Sequence, residues 1–157
     1  MAHGSLVAIQ IGRDAEGRLE SVAEVRAIPG KGLEGDRYFR GEGSFSNNPG
    51  GGRQVTLVAR EMLDLLEREH GITLDPAETR RNLLTSGVSL NDLVGKEFQI
   101  GVVRMRGVRL AEPCNHLERL TQPGVLKGLV HRAGLRADIL DEGMLHVGDA
   151  IVGVSDL

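Results

Sequence analysis

Apolar residues recur at alternate positions through most of this chain and at helical spacing in one stretch. Val7, Ile9 and Ile11 alternate with other residues as one face of a strand does. Residues 14–17 read as a turn. Residues 22–28 then resume extended character and stop at the breaker cluster Pro29-Gly30-Lys31-Gly32. Arg53-Gln54-Val55-Thr56-Leu57 predicts a strand with Val55 and Leu57 buried, and period-two geometry puts Arg53 on their face at the strand's open end. A helix follows over about 59–70, with Val58, Met62, Leu65 and Leu66 as its apolar stripe and Gly71 placed to end it.

Further on, Asp75-Pro76-Ala77-Glu78 has a cap residue, a proline at the first helical position and an acid at the third, which predicts one short helical turn. Arg80-Arg81-Asn82 enters another extended run. Residues 98–110 read as two strands, and apolar positions change from odd to even at Gly107, marking a bulge or a tight turn. Leu135, Ala137 and Ile139 alternate again before the turn Asp141-Glu142-Gly143. Leu145 and Val147, then Ile151 and Val152, predict a closing hairpin around Gly148-Asp149. Many short strands with glycine punctuation and one good helix indicate a mostly-β barrel or curled sheet with short helical turns.

Composition narrows the class. Aromatics make up 3% of the 157 residues and tryptophan is absent, so aliphatic side chains must fill the interior. Twenty-two glycines favour tight turns and bulges over long helices. A net charge of −3 argues against a general nucleic-acid binder. No apolar run reaches the length of a membrane span, and the first residues lack the order of a signal peptide. Residues 1–5 are expected to be a disordered N-terminus or an expression scar, ahead of one domain over 6–154.

The candidate chemistry centres on Cys114, the only cysteine, in Glu112-Pro113-Cys114-Asn115-His116-Leu117. A lone thiol forms no intramolecular disulfide and suits a reducing compartment, so a cytoplasmic location is expected. Its remaining uses are metal ligation, sulfur carriage and nucleophilic attack. A strand-like run at 108–110 hands over to a short helix, where Asn115 to Glu118 forms a variant capping box. That places the sulfur beside the positive end of a helix, where cysteine pKa values fall. The competing reading, a small buried hydrophobe, is what most free cysteines are.

No phosphate loop, nucleophile elbow or zinc helix occurs, and the spacing of Cys114 from the five histidines matches no structural zinc site. A nucleophile pair of Cys114 with His116 or His131 needs a third group to orient it. Arg80 and Arg81 are either an anion site or a solvated basic pair at a helix end. If the barrel gathers Cys114, Lys31, Arg37, Arg53, Arg80 and Arg81 at one mouth, a soft sulfur ligand stands beside anion-binding groups. Metal and phosphate in one ligand describe a phosphorylated metal cofactor.

Six segments in order complete the pattern. They are Gly32-Leu33-Glu34-Gly35-Asp36-Arg37, Arg53-Gln54-Val55-Thr56-Leu57 with Glu61, and Arg80-Arg81-Asn82, then Leu93-Val94-Gly95-Lys96-Glu97-Phe98-Gln99-Ile100-Gly101, Glu112-Pro113-Cys114 and Val147-Gly148-Asp149. Together they resemble a MOSC domain, the module named after the C-terminal part of molybdenum cofactor sulfurases. The resemblance implies a strand-rich barrel like the pyruvate-kinase β-barrel domain and a role with molybdenum cofactor or with sulfur. By that resemblance Cys114 ligates molybdenum and is the catalytic residue. Arg81, with Asn82, Arg37, Arg53 and Lys31, holds the pterin phosphate.

The activity the resemblance implies is oxygen removal from a small N-hydroxylated substrate, with electrons from a reductase partner. A second possibility for the family is a sulfur carrier, in which a Cys114 persulfide is loaded by a cysteine desulfurase. A third is a non-enzymatic ligand-binding module, since fold does not fix function. Sulfurases carry a pyridoxal-phosphate-dependent desulfurase domain upstream; 157 residues leave no room for one, so no pyridoxal phosphate is expected in this chain. No membrane or nucleic-acid partner is expected.

Overall fold

In the computed structural model, residues 4–12, 19–36, 54–112, 121 and 123–153 are described. Eleven strands carry the architecture: β1 (Gly4–Ile11), β2 (Glu20–Val22), β3 (Glu24–Ile28), β4 (Gly32–Leu33), β5 (Val55–Ala59), β6 (Leu83–Ser86), β7 (Glu97–Ile100), β8 (Val103–Leu110), β9 (Leu135–Ile139), β10 (Gly143–His146) and β11 (Ala150–Gly153). Among the described residues, two helices, α1 (Arg60–His70) and the single turn α2 (Val125–Gly128), join them, with 3-10 turns at Pro76–Thr79 and Leu90–Leu93. The fold is mostly β, as the alternation predicts.

Seven strands close on themselves in the order β11-β7-β8-β9-β5-β6-β1, with β1 pairing back to β11 and β2 added outside β1. Among the described strands only β5 and β6 run parallel in this barrel, and the helix α1 supplies the crossover that parallel neighbours need. The barrel interior is aliphatic, with Leu6, Ile9, Leu57, Leu83, Ile100, Met105, Leu135 and Ile151 buried around Phe98. Two smaller clusters lie outside it. Val58, Leu63 and Leu84 pack with Val7 and Ala8, and Leu66 packs with Ile72, Leu74, Val125, Leu129 and Ala133. Burial under α1 is therefore why all five residues of β5 are buried rather than alternate ones.

Several local readings hold. Gly71 ends α1 in the left-handed region (φ 67°) with its N–H donated to Glu67 O at 2.9 Å. Glu78 Oε1 accepts the Asp75 N–H at 2.9 Å, the acid half of the predicted cap. Gly107 sits at a register shift in the β8–β9 pairing, so the parity change there is a bulge, while the two strands part earlier, at Gly101 and Val102. Bulge and glycine go together: a Cβ at Gly107 would come 2.1 Å from the Leu93 carbonyl oxygen, where the 3-10 turn crosses the barrel end.

Others are corrected. A second bulge, between Leu6 and Ala8, turns Leu6 into the barrel beside Ile9 and Ile11 and puts Val7 outside, against Val58 and Leu63. The helix starts at Arg60, and Leu63 and Leu66 are its buried residues; Val58 is the strand side of the same contact. The predicted closing hairpin divides instead between two sheets. β10 pairs with β3 in a three-stranded sheet with β4, whereas β11 pairs with β1 and β7 in the barrel. The turn at Val147 and Gly148 carries the chain from one to the other.

Candidate functional site

Where the parallel strands β5 and β6 begin, a buried polar network joins four stretches of chain. Asn82, immediately before β6, is 1% exposed. Its Oδ1 accepts the Thr56 N–H and the Thr56 hydroxyl, both at 3.1 Å. Its Nδ2 donates to Gln10 O at 3.1 Å and to Asp36 Oδ1 at 3.3 Å. Asp36, fully buried, also accepts the Gly12 N–H at 2.8 Å. Each polar atom of the Asn82 amide thus has a partner within the protein, which is what a buried amide requires.

Gln54 does the same one step upstream of β5. Its Oε1 accepts the N–H groups of Gly30 and Ile139, each at 3.0 Å, and its Nε2 donates to Asp138 Oδ1 at 3.1 Å. The turn bearing the exposed Lys31 is thereby fastened to the start of β5 and the end of β9. Gly32 lets that turn approach. Its φ is 116°, and a Cβ added there would come 2.6 Å from Gln54 O, so a larger residue is excluded.

Arg80 occupies the left-handed region (φ 62°) at the end of the Pro76–Thr79 turn, and the chain reverses so that Arg81 points inward. The expectation of a solvated pair fails for Arg81, which is 8% exposed. Its Nε donates to Ala133 O at 2.9 Å, and its Nη2 to Ala111 O at 2.7 Å and, at 3.4 Å, to Glu112 O. Main-chain carbonyls from two distant segments hold the guanidinium in the interior, where its planar fork suits several acceptors at once. One of those segments is the entry to Glu112-Pro113-Cys114.

Glu112 and His131 form a contact that sequence reasoning missed. Glu112 Oε1 accepts the His131 main-chain N–H at 2.7 Å, and Oε2 lies 2.6 Å from the ring Nδ1. A carboxylate only accepts, so Nδ1 carries a proton and Nε2 faces away from the pair. His131 adopts a positive φ of 60°, unusual for a residue with a Cβ, and Asn91 Nδ2 donates to its carbonyl at 2.9 Å. The sequence signal was present as the possible Cys114–His131 pair lacking an orienting group; Glu112 is that group for His131.

Of the residues singled out by sequence, Arg81, Asn82 and Lys31 fall in the described regions. Cys114, Arg37, Arg53 and His116 lie outside the described residues. His146 is elsewhere, on β10, with Nε2 3.2 Å from Glu24 Oε2 on β3. Among the described residues no group of three or more His, Cys, Asp or Glu could hold a metal ion. Among them, too, no helix is long and apolar enough to cross a membrane.

The fold recurs in solved structures. The YuaD protein from Bacillus subtilis superposes with a TM-score of 0.80 at 16% identity, over 96% of this chain and 97% of that one. YiiM from Geobacillus stearothermophilus gives 0.70 at 19% identity, over 96% and 75%. YiiM from Escherichia coli gives 0.69 at 18% identity, over 100% and 71%. No curated protein matches the sequence. The family model of the MOSC domain matches residues 30–152, most of the chain, including the Gln54, Asn82 and Arg81 fastenings and the segment of Cys114. The chain belongs to the MOSC domain family.

Proposed function

We propose that this MOSC protein binds molybdenum cofactor through the Cys114 thiolate and deoxygenates small N-hydroxylated molecules. One observation carries the reading: the residues next to each candidate cation are fastened together where β5 and β6 begin. Arg37 follows Asp36, Arg53 precedes Gln54, and Arg81 precedes Asn82; Asp36 bonds to Asn82, and Gln54 holds the turn of Lys31. Arg81 in turn reaches Ala111 and Glu112, the latter two residues before Cys114. The described neighbours of these basic residues are thus tied to one another, and Arg81 to the segment that leads to Cys114, which supports a ligand carrying both a thiophilic metal and a phosphate.

The roles divide by what each residue already holds. Asn82 and the Nε and Nη2 groups of Arg81 serve the protein's own backbone, so both act as positioning residues. Lys31, Arg37 and Arg53 are the groups to neutralise the phosphate, and Cys114 is the metal ligand. The chemistry the cofactor supplies when bound is two-electron oxygen-atom transfer. The overall reaction cleaves the N–O bond, consumes two electrons from a reductase and two protons, and releases water. His131, oriented by Glu112 through Nδ1, offers Nε2 to exchange one of those protons with substrate.

The test is turnover. Protein purified from a host that makes the cofactor, supplied with dithionite-reduced viologen and benzamidoxime, is expected to form benzamidine, and Cys114→Ala is expected to form none. Equal product from the two proteins, or none from wild-type protein that holds molybdenum, overturns the reading.

A further inference from the structure

Two neighbouring rows of side chains cross the outer face of β8, β9 and β5, and their charges differ. Leu135, Ala137 and Ile139 fill the barrel interior, so Arg136 and Asp138 between them point outward. In the first row Glu97 on β7 stands opposite Arg106 on β8, and Arg106 stands opposite Asp138 on β9. Signs alternate there. Arg106 Nη2 lies 2.9 Å from Glu97 Oε2, and Gln54 Nε2 donates to Asp138 Oδ1 at 3.1 Å. Opposite charges facing each other across strands stabilise a sheet surface.

The second row lies beyond the Gly107 bulge and breaks that rule. Gly107 is opposite Ala137, so an unbroken ladder would set Val108 opposite Arg136. The extra residue shifts the register, and Arg109 takes that place instead. Arg136 in turn stands opposite Thr56, whose hydroxyl is bonded to the Asn82 amide at the end of the row. The row of Arg109, Arg136, Thr56 and Asn82 therefore holds two cations side by side and no acid. Like charges directly opposite each other weaken a sheet, and here a bulge creates the pair. Bulges re-aim side chains in this way beside functional sites.

The acids nearest in sequence are turned to other groups. Asp138, next outward residue along β9, faces Arg106 and takes the Gln54 amide. Glu112, beyond the end of β8, is turned to His131. Arg81, held on the Ala111 carbonyl at 2.7 Å, adds positive charge at the same end of β8. Arg109 is exposed and Arg136 half-buried, so the pair is open to a ligand from solvent.

We infer that Arg109 and Arg136 bind the oxyanion of a small organic molecule, a carboxylate or a phosphate monoester, between their guanidinium groups. The planar fork of arginine matches either group. An oxyanion seated there turns a repulsive cross-strand pair into two charge-assisted contacts. This ligand is additional to the phosphate assigned to Lys31, Arg37 and Arg53.

The test uses the whole chain, purified from a host that makes no molybdenum cofactor. Nuclear magnetic resonance follows the backbone amides and side-chain Nε–H groups of Arg109 and Arg136. The probes are phenyl phosphate, benzoate and the uncharged benzyl alcohol. Saturable shifts at both arginines are expected with the anions at millimolar concentration, and none with the alcohol. The tighter anion identifies the group the site takes. Arg109→Gln and Arg136→Gln should each weaken binding by about tenfold or more, the loss of one charge-assisted contact. If Arg136→Gln unfolds, the exposed Arg109→Gln decides the matter. Arg104→Gln removes an equal charge from β8, but one already shared with Glu97 and Asp141, and should change binding by less than about twofold. No saturable shifts at the two arginines would overturn the inference, and an acid of the chain already seated between them would give that result. Equal shifts with benzyl alcohol would overturn it too, as would a loss in Arg104→Gln as large as in Arg109→Gln.

Discussion

Asn82→Ala is expected to lower the free energy of unfolding by about 4 kcal/mol, among the largest effects of any single substitution in this chain. The change leaves the Thr56 N–H and hydroxyl, the Gln10 carbonyl and one Asp36 contact without the amide that now joins them. Each loss counts because the network is buried, and no water replaces a missing partner without a cavity of its own. Chemical denaturation read by circular dichroism gives the difference. Asn82→Asp sharpens the test: it keeps an acceptor for Thr56 but loses the donor to Gln10 and places a carboxylate against Asp36. It should be no more stable than the alanine variant, and a loss under about 1 kcal/mol for either contradicts the assignment of Asn82 as the structural link between β1, β5 and residue 36.

Arg81→Met is the second large effect. Methionine keeps much of the aliphatic stem but leaves the Ala111 and Ala133 carbonyls without their donors, a loss of about 2–3 kcal/mol in protein that holds no cofactor. Arg81→Lys has one donor group in place of a fork and should fall between the two. Hydrogen exchange carries the decisive detail. Amides around 111–112 and 133–134 should exchange faster in Arg81→Met, because the guanidinium is what binds these segments to each other. An arginine whose work is to hold a phosphate would leave the stability of the cofactor-free chain unchanged, and that result would return Arg81 to the role its family motif implies.

The contrast between what the chain revealed and what it concealed follows distance along the sequence. Features set by neighbours were legible: the strand alternation of Val55 and Leu57, the Gly71 cap, the acid at Glu78 and the parity change at Gly107. Each is a local rule of backbone geometry. The bulge between Leu6 and Ala8 was not legible, because no glycine or proline marks it and only the pairing with β6 enforces it. Likewise β10 and β11 look like a hairpin until β3 is seen to take one of them and β1 with β7 the other.

The candidate site divides the same way. The chain order of its motifs was enough to name the family. The inward turn of Arg81 was hidden, since its partners Ala111 and Ala133 are carbonyls that any residue could supply. For that reason composition and spacing cannot separate a buried fork that serves the backbone from one that serves a ligand. Glu112 and His131 meet across the same kind of gap, and only their shared contact distinguishes His131 from an ordinary exposed histidine.

Ligation by the single cysteine is the claim on which the functional account turns, and elemental analysis tests it most directly. Wild-type protein and Cys114→Ala would be purified in parallel from a host that makes molybdenum cofactor, and molybdenum measured per chain in each. The account predicts near-stoichiometric molybdenum in the wild type and background levels in the variant. Equal molybdenum in the two, or none above background in the wild type, would contradict it.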